Sequence, residues 1–294
     1  MSTASTKAGS ADAVIIPHYN DVLRLERCLA ALMQNDTEGT EIVVVDNASP
    51  VSLDGVRAAF PQVRFVIERD QGAAPSRNRG VSETTAPRLF FLDADCVPAP
   101  NWLALGRAVS ANGDLIGGRV DVFDETPPPR SGAEAFEAVF AFNFRKYIEV
   151  QGFSGTGNLL TRRDVFDVIG GFVNGVSEDR EWTMRAVANG FSLIYEDRLR
   201  VSHPSRQDWP ALKAKWRRTT REGYQLNGTN PMQRLKWAIR GLAMPLSAVV
   251  HIPKVLASDK LTSTGETSRA IATLVRLRCT RMLWMLRQSV GGTI

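Results

Sequence analysis

The sequence predicts an α/β protein with a mixed, mostly parallel sheet flanked by helices, followed by a basic, helical C-terminal extension. Three observations lead to this fold class. Short β-branched runs alternate with segments of helical periodicity over the first hundred residues. These runs are apolar at nearly every position, which is typical of strands covered by helices on both faces. The last third of the chain combines helical periodicity with an excess of Lys and Arg.

Four strands are predicted in the first hundred residues, at 13–16, 41–46, 63–67 and 88–92. The segments between them have the length and apolar spacing of helices that pack one face on a sheet. Strands that alternate with helices in this way pair in parallel, and such sheets bind ligands outside the carboxyl ends of the strands.

Polar side chains follow three of these strands. Tyr19 and Asn20 come after the first strand, Asp46 ends the second, and Asp93 and Asp95 follow the fourth. Two carboxylates separated by a single residue repel each other, and a divalent cation that carries phosphates would relieve the repulsion. A polar turn after a strand is the simpler explanation for an Asp-x-Asp sequence taken alone.

The middle of the chain is less regular. We predict a helix at 102–110, a strand at 115–120, one strongly aromatic helix at 133–150 and two last strands at 193–195 and 199–203. Glu178 and Asp179 begin a further helix, where the helix dipole alone would favour acids by roughly 0.3–1 kcal/mol. His203 ends the last strand, where it is either a metal ligand or a surface residue.

Composition and cysteine usage limit the functional classes to which the protein can belong. The 294 residues are 44% hydrophobic and 23% charged, ordinary values for a globular chain of one large or two modest domains. The three cysteines lie far apart without metal-ligand spacing, which predicts a reducing, cytoplasmic location and argues against a structural zinc. Residues 1–12 are small and polar, so we interpret them as a disordered tail.

The net charge of +5 conceals an asymmetry. Residues 1–203 carry 20 Lys and Arg against 27 Asp and Glu, whereas residues 204–294 carry 16 against 4. A basic C-terminal third is expected to meet an anionic partner, either a membrane surface or a phosphorylated carrier. No nucleic-acid reader motif is recognised, which argues against nucleic acid.

At this point the ordered motifs are similar to those of a known family. The chain resembles the inverting, nucleotide-sugar-dependent glycosyltransferases of family 2, which have the Rossmann-like GT-A fold. The resemblance extends from Val14 to His203, about two thirds of the chain. It rests on six blocks in order, which are 14–20 (VIIPHYN), 43–49 (VVVDNAS), 72–80 (GAAPSRNRG), 91–95 (FLDAD), 170–172 (GGF) and Glu178-Asp179 followed by Arg185, Gly190 and His203.

The resemblance implies a role for each matching residue on the donor side. Pro17, Tyr19 and Asn20 would line the nucleotide pocket, and Asp46 would read the base, typically uracil. Arg77 would support the base or the diphosphate. Asp93 would lie near the ribose and the metal, and Asp95 would be a ligand of Mg²⁺ or Mn²⁺. His203 resembles the histidine that completes the metal shell in many relatives. The family varies position 18, so no role is assigned to His18.

The resemblance also implies the catalytic and acceptor sides. Asp179 corresponds to the general base, with Glu178 as its supporting acid, and Trp182 and Asn158 are expected on the acceptor side. The implied activity is transfer of a sugar to a hydroxyl acceptor in the synthesis of a cell-surface glycan, polysaccharide or glycolipid. A sugar-phosphate nucleotidyltransferase and a non-catalytic nucleotide-sugar-binding scaffold remain the alternatives.

The predicted organisation is a catalytic domain at 13–205 and a basic extension at 206–294. In the extension, residues 209–223 and 271–286 form basic amphipathic helices, and the apolar segment at 241–257 falls short of the ~20 residues that span a bilayer. Basic amphipathic helices lie in a membrane interface, which would make the protein peripheral at the inner membrane face. Solvated helices packed on the catalytic domain are the equal alternative.

Overall fold

One eight-stranded sheet organises the chain in this computed structural model, which describes residues 10–294. The strands in chain order are β1 (Asp12–His18), β2 (Thr40–Asp46), β3 (Arg64–Ile67), β4 (Arg88–Leu92), β5 (Val97–Pro98), β6 (Leu115–Phe123), β7 (Asn158–Arg162) and β8 (Leu193–Pro204). Residues 1–9 of the predicted tail lie outside the described residues, and Asp12 already belongs to β1.

The sheet has the order β3-β2-β1-β4-β7-β6-β8-β5. Its first four strands pair in parallel, and β1 lies between β2 and β4 so that Ile15 is opposite both Val43 and Phe91. Strand β7 pairs antiparallel with both β4 and β6, and β5 pairs antiparallel with β8. The predicted mixed α/β architecture is therefore confirmed, with β1–β4 paired in parallel and β7 antiparallel to both of its neighbours.

Twelve helices accompany the sheet in residues 10–294. They are α1 (Val22–Leu32), α2 (Asp54–Ala59), α3 (Ala73–Ser82), α4 (Trp102–Val109), α5 (Gly132–Phe140), α6 (Phe144–Gln151), α7 (Arg163–Ile169), α8 (Glu178–Ala188), α9 (Trp209–Asn227), α10 (Pro231–Leu242), α11 (Met244–Leu256) and α12 (Thr264–Ser289).

Two predicted elements are wrong in extent. The single helix expected at 133–150 is two helices, because the Asn143 side chain accepts a hydrogen bond from Lys146 N and caps a new helix there. The two strands expected at 193–203 are the single strand β8. Between the two predicted segments, Glu196 and Arg198 lie on the same side of this strand and form an ion pair.

The core of the sheet is built from the apolar runs that predict the strands. Ile15, Val43 and Phe91 are fully buried on neighbouring parallel strands. Helix α3 lies so close to β1 that a Cβ on Gly80 would clash with Ile15. This close approach brings the polar face of α3 to the strand ends.

The chain divides into two compact units. The first takes the chain up to Asp121 together with Asn143–His203, and the second takes Val122–Phe142 together with Pro204–Ile294. The expected division at residue 205 did not include the segment 122–142 in the second unit.

The second unit consists of α5 and α9–α12 around an apolar cluster. Leu212, Ala248, Val255, Leu274 and Leu277 are buried in this cluster. Within residues 10–294 no single helix is long and apolar enough to cross a membrane, although α10 and α11, bent by 45° at their junction, could do so together by length and composition.

Candidate active site

The ends of the parallel strands bring the predicted polar residues together at one edge of the sheet. His18 at the end of β1 is opposite Asp46 at the end of β2, and Asp93 follows β4 directly. The backbone beyond the first two strands is strained, because Asn20 and Ala48 both have a φ of 53°, which residues other than glycine rarely adopt. Strain of this kind persists where surrounding structure enforces it, commonly at ligand sites.

Asp46 is held in one orientation by two neighbours. The ring of His18 is buried and its Nδ1 lies 3.1 Å from Asp46 Oδ1, while Ser49 Oγ donates to the same oxygen. His18 Nε2 accepts a hydrogen bond from Asp21 N, so Nδ1 is the atom that carries the proton and donates to Asp46. His18 is thus a positioning residue that the sequence analysis missed, because only the register of β1 on β2 places it beside Asp46.

The other predicted nucleotide-pocket residues border this edge. Pro17 lies in β1, and Tyr19 and Asn20 follow it with exposed side chains. Asn20 N donates to Ser49 Oγ, which connects the segment after β1 to the segment after β2. Their exposure leaves Tyr19 and Asn20 accessible to a ligand at the strand ends.

Arg77 joins the two acidic parts of the site. It reaches the strand ends from α3 with a side chain that is only 5% exposed, and its Nη2 and Nη1 donate to Asp93 Oδ1 at 2.7 Å and to Glu178 Oε1 at 2.8 Å. The guanidinium also lies over the ring of Phe172, 5.9 Å from its centroid. Because both terminal nitrogens donate to carboxylates, Arg77 positions these acids. Its expected role in supporting the base or the diphosphate stays a prediction.

Asp179 has the properties of a base. Burial, and then the neighbouring charge of Glu178, raise its pKa from 3.8 to about 6, although Arg77 opposes the shift. Its Oδ1 accepts hydrogen bonds from Ser177 Oγ and from Arg180 N at 2.6 Å. The carboxylate is therefore ionised at neutral pH but binds a proton more tightly than an ordinary aspartate.

Asp93 and Asp95 can contribute oxygen ligands to a cation. Ligand atoms of Asp93, Asp95 and Cys96 all lie within 4.8 Å of one another, and His203 Nε2 lies 3.0 Å from Asp95 Oδ2. Burial and the adjacent carboxylates raise the pKa of the Cys96 thiol well above its usual value, so it stays protonated and is a poor ligand. Carboxylates with an imidazole fit Mg²⁺ or Mn²⁺.

The loop before β7 passes close to both acidic parts. A Cβ on Gly157 would lie 2.8 Å from Asp93 Oδ2, and a Cβ on Gly155 would lie 3.3 Å from Asp179 Oδ2. Any larger residue at position 157 would displace the Asp93 carboxylate. The glycines at 155 and 157 thus leave room for the acids, although they do not form a phosphate loop.

The expected acceptor-side roles of Trp182 and Asn158 are wrong. Both side chains are fully buried. Trp182 packs on Phe166 and Phe172 and donates from Nε1 to Gly170 O at 2.7 Å. Asn158 receives a hydrogen bond from Trp102 Nε1 and donates to two backbone carbonyls. These residues stabilise the sheet and α8 and cannot contact an acceptor.

An aromatic group lies near Asp179 instead. The same Cβ position on Gly155 that approaches Asp179 would lie 3.0 Å from Phe144 Cζ. Tyr147 contacts Phe144 and stacks on Phe153 with a centroid distance of 5.2 Å. The Arg180 guanidinium lies 4.9 Å from the centroid of Phe153. Phe144 is buried, whereas the half-buried Tyr147, Phe153 and Arg180 could contact the ring of a substrate.

Sequence comparisons identify relatives over most of the chain. The profile described as Glycosyl transferase family 2 matches residues 13–170, more than half of the chain. Glycosyltransferase AglE from Haloferax volcanii is 32% identical over 218 residues, which cover 69% of this chain and 70% of the relative. Pre-mycofactocin glycosyltransferase from Mycobacterium tuberculosis is 26% identical over 215 residues, which cover 68% of this chain and 45% of that protein.

Solved structures share the fold at low sequence identity. A mannosyltransferase from Pyrobaculum calidifontis in complex with GDP-Man and Mn²⁺ has a TM-score of 0.59 and 17% identity, with 97% of this chain and 88% of that chain covered. S. aureus TarS 1–349 in complex with UDP-GlcNAc has a TM-score of 0.55 and 15% identity, with 95% and 79% covered. The fold of this chain is therefore that of known glycosyltransferases.

Proposed function

Because this chain belongs to glycosyl transferase family 2, we propose that it moves a sugar from a nucleotide-sugar, in the first instance a UDP-sugar, to an acceptor hydroxyl with inversion at the anomeric carbon. The observation that carries the proposal is the bridge from Asp93 through Arg77 to Glu178, beside Asp179. It connects a metal-binding sequence at the strand ends to a carboxylate with the properties of a base.

On the donor side, Asp46 is the candidate for reading the base. Its carboxylate, oriented by His18 and Ser49, can accept the ring N–H of uracil. A carboxylate would also accept from the N–H groups of guanine, and the relatives of known structure include complexes with UDP-GlcNAc and GDP-Man. Exposed Tyr19 and Asn20 would contact the nucleotide beside it.

Asp95, with Asp93 and His203, would hold Mg²⁺ or Mn²⁺ together with the diphosphate. The bound ion would neutralise charge that develops on the leaving nucleoside diphosphate. Arg77 keeps the Asp93 carboxylate in place through its 2.7 Å hydrogen bond, and Gly157 leaves room for it. The Mn²⁺ complex of the Pyrobaculum relative supports this assignment.

On the acceptor side, Asp179 takes the proton of the attacking hydroxyl. A new bond forms between the acceptor oxygen and the anomeric carbon while the bond from that carbon to the diphosphate oxygen breaks, and the hydroxyl proton passes to Asp179. A positioned base of this kind contributes ~10²–10⁴-fold. One base suffices for a single displacement, which inverts the anomeric centre. The half-buried Tyr147 and Phe153 would contact the acceptor in place of Trp182.

Two measurements test the proposal. Calorimetry with UDP and with GDP, each with and without Mn²⁺, should reveal a metal-dependent affinity for one of them. Replacement of Asp179 by Asn should abolish transfer in a donor screen and leave the nucleotide affinity unchanged. If neither nucleotide binds, the enzyme assignment fails. If D179N loses binding and transfer equally, Asp179 is a binding residue and the proposed base is wrong.

The pH dependence gives an independent check of the base. Because the pKa of Asp179 is about 6, kcat/KM should fall tenfold per pH unit below about pH 6. Replacement of Glu178 by Gln removes a charge that raises this pKa, so the acid limb should move to lower pH. A limb that stays in place in E178Q would contradict the assignment of the limb to Asp179.

A further inference from the structure

Helices α10 and α11 carry a continuous apolar surface that nothing in residues 10–294 covers. The residues share helical spacing and high exposure, and they are Met232, Leu235, Ile239 and Leu242 of α10 and Leu246, Val249, Val250 and Leu256 of α11. Together they form what we call the α10–α11 face. Scattered exposed apolar residues are ordinary, whereas a contiguous surface of eight large side chains marks an interaction site.

The opposite sides of both helices are packed inside the second unit. Trp237 of α10 donates from Nε1 to Gln288 Oε1 of α12 at 3.0 Å, and Ala248 and Val255 of α11 are buried in the apolar cluster of the unit. Each helix therefore has one buried side and one exposed apolar side. The exposed side is not needed for the core of the unit.

The charges beside this face are all positive. Residues 231–256 contain four Lys or Arg and no Asp or Glu. Lys236 and Arg240 on α10 and Lys254 on α11 are exposed and lie, by helical spacing, beside the apolar residues of their own helix. The Lys254 Nζ also lies 4.9 Å from the centroid of Phe140. The wider segment 204–294 carries a net charge of +12.

From the apolar face and its basic border we propose that α10 and α11 dock the protein on the surface of a membrane that contains anionic lipids. The eight apolar side chains would enter the boundary between headgroups and acyl chains, and the basic border would contact the headgroups. This inference does not rest on the proposed glycosyl transfer, because it concerns residues outside the candidate active site.

Charge and packing select this partner among the alternatives. A second copy of the chain would bring two basic borders together, and they would repel each other. By length and composition α10 and α11 could cross a bilayer together, but a span would take Ala248 and Val255 of α11 out of the apolar cluster of the second unit. Spanning would also expose the packed side of α10, including Trp237.

Vesicle flotation of the full chain without donor or metal tests the proposal. We expect binding to vesicles of phosphatidylcholine with 30% phosphatidylglycerol, and weaker binding to pure phosphatidylcholine. The double variant Leu246→Glu and Val250→Glu should lose about tenfold or more in affinity per substitution, because burial of one such side chain corresponds to roughly that factor. Each of Lys236→Gln and Lys254→Gln should cost about fivefold on anionic vesicles only.

A matched control comes from the first unit. Val150 and Val168 are 72% and 71% exposed, close to Leu246 at 71% and Val250 at 74%. The double variant Val150→Glu and Val168→Glu adds the same charges at equal exposure and should bind vesicles like the unaltered chain. Circular dichroism of all variants should be unchanged, since every altered side chain is exposed.

Three outcomes would overturn the proposal. The unaltered chain could fail to float with anionic vesicles, or both double variants could lose binding equally, which would indicate a general charge effect. Analytical ultracentrifugation could instead show a dimer that Leu246→Glu dissociates, with no vesicle binding, and the face would then be an interface between two copies. The Lys variants keep the apolar face intact, so they report on the lipid headgroups even if the Glu variants fold poorly.

Discussion

Replacement of Asp179 by Asn should make the folded protein more stable at neutral pH. The carboxylate lies among buried atoms beside Glu178, and together these raise its pKa from 3.8 to about 6. Asn has nearly the same shape and carries no charge. Its oxygen can still accept the hydrogen bonds that Ser177 Oγ and Arg180 N now donate to Asp179 Oδ1.

The magnitude and its pH window follow from the shift in pKa. A rise of about 2 units corresponds to roughly 2–3 kcal/mol by which the ionised carboxylate destabilises the folded state. Between about pH 4 and 6 the folded chain retains a proton that the unfolded chain releases. The free energy of unfolding therefore falls as the pH rises through this window, and the penalty is constant above it. D179N removes the penalty, so its advantage is present at pH 7 and absent below pH 4.

Denaturant unfolding at pH 7 and at pH 4 measures the effect. Asp167→Asn is a matched control, because Asp167 is an exposed aspartate on α7, and its replacement should change the free energy of unfolding by less than about 0.5 kcal/mol. A D179N variant that is no more stable than the unaltered chain at pH 7 would refute the reasoning. An advantage that persists unchanged at pH 4 would show that its cause is not the charge.

Two further substitutions test the corrected site. Gly157→Ala places a Cβ 2.8 Å from Asp93 Oδ2 and should weaken Mn²⁺-dependent nucleotide binding in calorimetry about tenfold, ~1.4 kcal/mol. The control Gly55→Ala, at a position with open space around it, should leave the affinity unchanged. Equal affinities in the two variants would contradict the role of Gly157. Trp182→Phe should lower the free energy of unfolding by about 1–3 kcal/mol, because it removes core volume and the hydrogen bond to Gly170 O. If the variant instead had an altered KM for the acceptor and unchanged stability, Trp182 would belong to the acceptor side.

The sheet and its polar edge were predictable because their signals are local. Each parallel strand is a contiguous apolar run, and the residue that ends it is adjacent in sequence, as Asp46 and Asp93 are. Once parallel pairing is inferred, convergence of these ends follows from topology alone. Elements outside this pattern were less predictable, since the capping side chain of Asn143 ended one helical pattern and began another without a change in apolar spacing.

The contacts within the site were not predictable from local pattern. Arg77 is 101 residues from Glu178 in sequence and 16 from Asp93, and only the packing of α3 on the sheet brings the three together. Trp182 and Asn158 illustrate the converse error. The family resemblance implied contact with the acceptor, whereas the direction of each side chain is decided by the core it packs against.

The unfavourable features of the fold gather where the chemistry is proposed. Two non-glycine residues with positive φ, a carboxylate of raised pKa and a buried arginine among three acids (Asp93, Glu178 and Asp179) lie at the carboxyl edge of the parallel strands. A fold selected for stability alone would replace such groups by apolar ones at little cost. The apolar strands behind this edge supply the stability that lets it persist, and the excess negative charge is what a divalent cation would balance. Stability and candidate site are thus divided along β2 and β4, with the interior of each strand in the core and Asp46 or Asp93 at its carboxyl end in the candidate site.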